Sequence, residues 1–327
     1  MDKILITGGA GYIGSHVVEI LLMNNKQVRV LDNGMFGLWS LYPFHENPNF
    51  ELVEGDLRNI SDIKKSVRNI DGVIHLGGIV GNPACSYDKL TCQDVNVIAT
   101  ERLAAASSEA GVSRFIFASS CSVYGFGTQV FTEDSALNPV DYYAESKIAG
   151  EEVLKKFKTD MIMSTCRFAT VFGASRRMRF DLAVNGMTAS ALYDGVCHVH
   201  GGAEWRPFIH CHDIAIALCK ISCASENLVR NQVFNIGSDD MNITLAELGY
   251  KIGKLIKASR VEINDTLSDN RSYQVSFKKI RECLGFTSKV SINEGIVQIK
   301  NIIESHIIPI PTLRIYSNLK TTEQLVV

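Results

Sequence analysis

Apolar runs of strand length take turns with amphipathic stretches through the first half of the chain. The runs are residues 3–7, 27–31, 50–54, 72–76, 114–119 and 161–168. Between them lie helical patterns: one starting near Gly11, one at 61–68 with Ser61 as its N-cap, and longer ones at 96–110 and 143–157. Strand, helix, strand repeated in this way predicts an α/β fold, a parallel, doubly wound sheet of the Rossmann type with helices on both faces.

The alternation loosens after Gly173. A helix at 181–192, a short polar strand at 197–200, the segment 205–210, a strand at 233–236 and an amphipathic helix at 245–256 follow. We therefore expect a regular domain over 1–175 and a smaller lobe over 176–327, interleaved with the first. No low-complexity linker or internal repeat marks the boundary. The tail after Pro309 either packs as an arm or frays, and its pattern leaves both open.

Bulk properties narrow the picture. A chain of 327 residues is long enough for one large domain or two unequal ones. A net charge of −2 gives no electrostatic reason to expect nucleic acid or an acidic membrane as partner. The longest apolar runs fall far short of a membrane span. Met1-Asp2-Lys3 leads straight into a strand, so no signal peptide is expected. The nine cysteines are odd in number, scattered and without a Cys-x-x-Cys pair, which fits free, mostly buried thiols in a reducing cytoplasm. His210-Cys211-His212-Asp213 looks metal-like. Read as a strand, its neighbours point to opposite faces and cannot share one ion, so no metal is expected.

The chemistry starts at Gly8-Gly9-Ala10-Gly11-Tyr12-Ile13-Gly14, directly after the first apolar run. Glycines between a strand and a helix let the backbone approach a pyrophosphate, and the helix N-terminus offers it unpaired N–H groups. Asp32 closes the second strand, where a carboxylate accepts ribose hydroxyls and repels a 2′-phosphate; this favours NAD over NADP. Arg29, inside that strand, is poorly placed to reverse the preference. Asn33, Asp56-Leu57 after the third strand, and Leu76-Gly77-Gly78 after the fourth join the cofactor set, with Asp56 alternatively a helix cap.

A second motif is Tyr143-Ala144-Glu145-Ser146-Lys147, preceded by Ser119-Ser120-Cys121-Ser122-Val123-Tyr124. Tyr143 and Lys147 share a helix face. An ammonium beside a phenol stabilises the phenolate and lowers its pKa from about 10 toward neutrality. The same lysine can hold the nicotinamide ribose, and Ser120, ending another strand, can hydrogen-bond the reacting oxygen. Phenol, ammonium and hydroxyl behind a dinucleotide turn read as a site that moves a proton and a hydride.

From Ile4 to about Phe286 the chain resembles the NAD-dependent epimerase/dehydratase family acting on nucleotide sugars, in the extended branch of the short-chain dehydrogenases. The Gly8-x-x-Gly11-x-x-Gly14 spacing, the Tyr-Lys motif, Asn96, and Arg206-Pro207-Phe208-Ile209-His210 before Asp213 carry that resemblance, with Asn270-Arg271-Ser272-Tyr273 fitting a late phosphate-contact region. It implies Tyr143 as acid/base, Lys147 as its partner and Ser120 as hydroxyl helper. Ser119, Tyr143, Lys147 and Phe168 complete the implied cofactor set. Ser120, Ser122, Tyr143, Thr170, Arg179, Asn185, Arg206 and Arg271 form the implied substrate set. It further implies a homodimer through the helices 96–110 and 143–157, with Ala104, Ala105 and Ala106 as a small-residue surface; packing on the chain's own sheet is the alternative.

The departures bear on the reaction. Sugar-nucleotide 4,6-dehydratases of the family carry an Asp-Glu pair directly after the position of Ser120. Here the pair is Cys121-Ser122, neither a competent acid nor a strong base. Thr170 stands where asparagine is usual, and Gly77-Gly78 replaces Ala-Ala. Arg206 and Arg271 are candidates to clamp a diphosphate, and Arg176, Arg177 and Arg179 either line the same cleft or form a solvated run. The resulting expectation is an NAD-dependent nucleotide-sugar epimerase working through a keto-sugar. A 4-keto-sugar reductase would use identical groups, and a non-catalytic cofactor-binding protein is a third reading.

Overall fold

The computed structural model describes residues 1–257, 260–267, 271–307 and 313–325. In chain order the first half runs β1 (Lys3–Thr7), α1 (Gly14–Met23), β2 (Gln27–Asp32), β3 (Phe50–Glu54), α2 (Ile60–Ser66), β4 (Gly72–His75), α3 (Asn82–Tyr87) and α4 (Lys89–Gln93). A π-helical turn (Asp94–Ile98) joins α4 to α5 (Ala99–Glu109), followed by β5 (Arg114–Ser120), β6 (Phe126–Phe131), α6 (Tyr142–Leu154) and β7 (Ile162–Phe168). The second half adds β8 (Thr170–Phe172), α7 (Ala183–Tyr193), β9 (Val196–His200), β10 (Trp205–His210), α8 (Cys211–Cys223), α9 (Glu226–Val229), β11 (Gln232–Ile236) and β12 (Asn242–Thr244). It ends with α10 (Leu245–Ile256), β13 (Arg260–Asn264), β14 (Ser272–Val275), α11 (Lys278–Leu284), α12 (Ile292–Glu304) and α13 (Asn318–Leu325).

Seven strands form one sheet in the order β3-β2-β1-β4-β5-β7-β11, every neighbouring pair parallel. Alternation along β1 divides the core. Ile4 and Ile6 pack on one face with α1 and α8, and Leu5 on the other with α2 and α5. The chain runs outward from β1 to β2 and β3, then returns to β4 on the opposite side. That reversal opens a crevice at the carboxyl ends of β1 and β4, where open α/β sheets place ligands. A third core joins α7, β9, α10 and α12, while β11, far along the chain, returns to the main sheet beside β7.

Several boundaries differ from the sequence expectation, each for a local reason. The glycines from 8 to 14 form the turn itself, so α1 begins at Gly14. Asn59, not Ser61, caps α2 by accepting from the Ser61 N–H at 3.0 Å. The helix expected from residue 96 starts at Lys89 and passes through the π turn that carries Asn96. His210 closes a strand, but Cys211, His212 and Asp213 open α8, so the quartet is a strand–helix junction. Asp213 there accepts from Ser288, Lys289 and Val290. No group of three potential metal ligands converges among the described residues. Residues 309–312 of the tail lie outside the described residues; beyond them, α13 packs on α3.

Buried charge fastens α6, the helix that carries Tyr143 and Lys147, to the sheet. Asp141 caps it through the Ala144 N–H at 2.8 Å. Glu151, two turns beyond Tyr143, makes a two-pronged ion pair with Arg167 of β7, at 2.7 and 3.0 Å, and accepts from the Ser119 hydroxyl of β5 at 2.5 Å. Both charged side chains are buried, at 9% and 6% exposure. Removing one member of such a pair strands the other and costs about 3–5 kcal/mol. Urea unfolding of Glu151→Ala should show a loss of that size. Lys155→Ala, which opens the exposed Lys155–Glu152 pair, should change stability by no more than about 0.5 kcal/mol.

His75 ends β4 fully buried between the hydroxyls of Thr7 and Thr100, at 2.6 and 2.9 Å. Burial, reinforced by Lys147, drives its imidazole down to about 3. The unfolded chain binds a proton there below about pH 6.5, and the folded chain does not. Its stabilising contribution is complete above pH 6.5 and falls by about 1.4 kcal/mol per pH unit as the medium acidifies, until the folded imidazole titrates. Between pH 7 and pH 5, His75→Asn should therefore lose less unfolding free energy than the parent.

Candidate active site

A cleft of about 560 Å³ lies along the carboxyl ends of β1, β2, β4 and β5. Its floor is the glycine turn. Gly8 has φ +69°, and a Cβ there would stand 2.8 Å from the backbone of Gly77, so the ends of β1 and β4 meet main chain to main chain. At Gly14 a Cβ would lie 2.2 Å from the Gly8 carbonyl, closing the turn that α1 springs from. No side chain caps α1. Residues 11–14 line the cleft, which suits an anion at a helix N-terminus. These cradles fit a dinucleotide.

One end of the cleft is built for a ribose and base. Asp32 is held by the N–H groups of Ala10 and Gly34, both at 3.0 Å. Burial raises its pKa, while those two bonds and Arg177 act downward. Asn33 reaches Asp56 at 3.3 Å, and a two-pronged bond from Arg58 holds the Asp56 carboxyl down near 2. Asp56 is thus locked by Arg58 and faces the cleft beside Leu57; the cap of α2 is Asn59. Arg29 turns away, bonded to the carbonyls of Ser66 and Arg68.

The other end holds the acid/base groups. Ser119 and Ser120 close β5; Tyr143 and Lys147 descend from α6; Phe168, Leu76, Gly77 and Gly78 line the same space. The Ser120 oxygen accepts from the Ser122 N–H at 3.1 Å and the Ser122 hydroxyl at 2.9 Å. Its own proton is thereby left to donate toward Tyr143, a bond that offsets only part of the rise burial imposes on the phenol. Asn96 fixes the wall: its amide bonds both polar backbone atoms of Ile79, at 2.8 and 2.9 Å, and the Ser146 hydroxyl at 3.0 Å.

The structure corrects the expected effect of the lysine on the tyrosine. Burial, with Cys85 next, pushes the Tyr143 phenol well above its ordinary value. The Lys147 ammonium is itself lowered to about 8 by burial. It stands 5.8 Å from the centre of the tyrosine ring and donates to the Ala118 carbonyl at 2.9 Å. Desolvation dominates at both groups.

The structure brings every expected cofactor residue to this cleft; the Tyr12 hydroxyl is tied to the Gly173 carbonyl at 2.5 Å. The substrate set divides. Ser120, Tyr143 and Arg179 line the cleft. Ser122 sits behind Ser120. Thr170 lies on β8, where alternation turns Ala169 and Val171 to the cleft instead. Asn185 is fully buried, its amide spent on Gly173, Tyr12 and Arg179. Arg206 bonds the carbonyls of Trp205 and Arg271, and Arg271 pairs with Asp141 at 3.6 Å. Asn270 lies outside the described residues. Of the arginine run, Arg176 leaves for Glu19, whereas Arg177 and Arg179 face inward.

Sequence reasoning missed Phe36, Val80, Asn318 and Thr322 as lining residues. Asn318 closes the cleft from α13, its side-chain amide donating to the Val80 carbonyl at 3.1 Å and its backbone N–H to the Asp181 carboxylate at 2.9 Å. No motif marks it; its role comes entirely from where the tail folds back.

The comparisons agree with this geometry. The model of the "NAD dependent epimerase/dehydratase family" matches residues 4–237. A UDP-glucose 4-epimerase of Lactobacillus helveticus is 34% identical over 275 residues, covering 76% of this chain and 81% of that protein. A mouse dTDP-D-glucose 4,6-dehydratase is 26% identical, covering 90% of this chain and 86% of the relative. Among solved structures, MoeE5 in complex with UDP-glucuronic acid and NAD superposes with a TM-score of 0.81 at 27% identity, over 93% of this chain and 99% of that one. A parallel sheet with its crevice at the β1/β4 reversal, a glycine turn beneath it and a family match over most of the chain lead to one conclusion: the chain belongs to the NAD-dependent epimerase/dehydratase family.

Proposed function

We propose that the chain is a nucleotide-sugar epimerase that inverts C4 through a transient keto-sugar. The observation that carries this over dehydration is the placement of Cys121 and Ser122. The Cys121 thiol is fully buried, bonded to the Arg167 carbonyl at 3.3 Å, with its pKa pushed up by burial. The Ser122 hydroxyl is committed to Ser120. Neither is an acid or base facing the cleft, so no group stands ready there to expel water from the sugar. The Lactobacillus helveticus relative, named as an epimerase, supports the same reading.

In this proposal the glycine turn, Asp32, Asn33 and Asp56 would hold NAD, which when bound would supply the hydride acceptor and then the donor. The Tyr143 phenol, raised by burial in this structure, would ionise once the positive charge of the nicotinamide and Lys147 face it. The phenolate would then take the proton of the sugar hydroxyl, with Ser120 donating to the same oxygen. Lys147 would hold the nicotinamide ribose. The keto-sugar would turn to present its opposite face, and Tyr143 would give its proton back to the same oxygen. Arg179 is the basic group beside the sugar nucleotide. Burial keeps water from the exchange.

Incubation with UDP-, GDP-, CDP- and dTDP-sugars, without added cofactor, should interconvert one epimeric pair and release no water. A substrate deuterated at the inverted carbon should keep its label; washout, or a need for added NADH, would favour a keto-sugar reductase. Tyr143→Phe should cut turnover by at least about a hundredfold while NAD still binds, and unchanged turnover would remove the mechanism. We also infer a homodimer through the outer faces of α5 and α6. Ala104 and Ala106 are buried within the chain's own core, so the surface must come from their neighbours. A monomer mass by light scattering would overturn it.

A further inference from the structure

Arg177 is 2% exposed, yet its Nε and Nη2 atoms have no hydrogen-bond partner among the described residues. The other two arginines of the run are satisfied: Arg176 by Glu19 and Arg179 by both oxygens of Asp181. The Arg177 guanidinium lies against the cleft wall, its central carbon 4.3 Å from the centre of the Phe36 ring. Burial, and Arg179 beside it, lower its pKa to about 9, so it stays charged at neutral pH. A buried charge with unused donors is strongly disfavoured unless a counter-ion completes it.

Its surroundings say which one. Asp181, both of its oxygens already taken by Arg179, acts on Arg177 electrostatically, followed by Tyr12 of the glycine turn and Asp32 at the end of β2. Phe36 follows β2 along the same wall. Arg177 therefore stands between the uncapped N-terminus of α1 and the ribose-side carboxylate. That interval is where a dinucleotide threads its diphosphate. We propose that Arg177 is the diphosphate anchor of the bound dinucleotide, completing from the second half of the chain the anion site that α1 begins in the first. A guanidinium fork matches two phosphate oxygens at once, and Phe36 fixes the plane in which it is offered. The proposal rests on the family's NAD and is independent of which sugar is turned over.

The test is calorimetric titration of the full chain, freed of co-purified nucleotide, with NAD, ADP-ribose, NADP and adenosine. Arg177→Gln should weaken NAD and ADP-ribose by at least about tenfold and leave adenosine within about twofold. Arg177→Lys should recover part of the loss, since it keeps the charge and gives up the fork. Equal weakening of adenosine would show that Arg177 only shapes the cleft. A loss confined to NADP would assign it to a 2′-phosphate. Unchanged ADP-ribose affinity would end the proposal. Adenosine binding in the same sample reports that the variant is folded, and if the glutamine variant does not fold, the lysine variant carries the same ligand comparison.

Discussion

The catalytic arrangement hangs on how one helix is fastened to one sheet. Tyr143, Lys147 and Glu151 recur every four residues, so they descend one face of α6. Glu151 is tied to β5 through Ser119 and to β7 through Arg167; Lys147 is tied to β5 through Ala118. Apolar packing alone tolerates small slides and rotations of a helix on a sheet. A two-pronged ion pair in a dry interior tolerates neither. With α6 pinned in depth and rotation, the phenol of Tyr143 arrives beside Ser120 rather than a turn above or below it.

Burial is the second constraint. At the deepest groups of the cleft it decides the outcome: Lys147 and Arg177 are lowered, while Tyr143 and Asp32 are raised; Asp56, paired with Arg58, goes the other way. The neutral form of those four is favoured because water is scarce. Such a site is poorly served by its own protein groups and relies on what enters it. The unmet donors of Arg177 and the dipole of the uncapped α1 both belong to that pattern.

The strands and the two motifs were legible because their signals are local. Three glycines at fixed spacing after an apolar run, or a tyrosine and lysine one helical turn apart, require no knowledge of distant residues. What escaped was decided at long range. The π turn at Asp94–Ile98 exists where Asn96 is bonded to Ile79 and Ser146, partners a helical pattern cannot reveal. β6 is mostly exposed and pairs with β14 more than a hundred residues later. Asn185 and Arg206 have the right chemistry for a nucleotide, but each is spent on protein groups. The phenol's pKa was misjudged for the same reason: spacing places the lysine nearby, and only the fold shows that its ammonium bonds Ala118.

The arm formed by α13 ties two distant parts of the chain into a single equilibrium. Asn318 touches Val80 and Asp181 at once, and it lines the space a ligand fills. A molecule that gains contacts with the docked arm must hold the arm down. By reciprocity, anything that loosens the arm must weaken that molecule's affinity by the same free energy. The last helix of the fold is in that sense a thermodynamic partner of the glycine turn at its beginning, though the two are far apart in sequence.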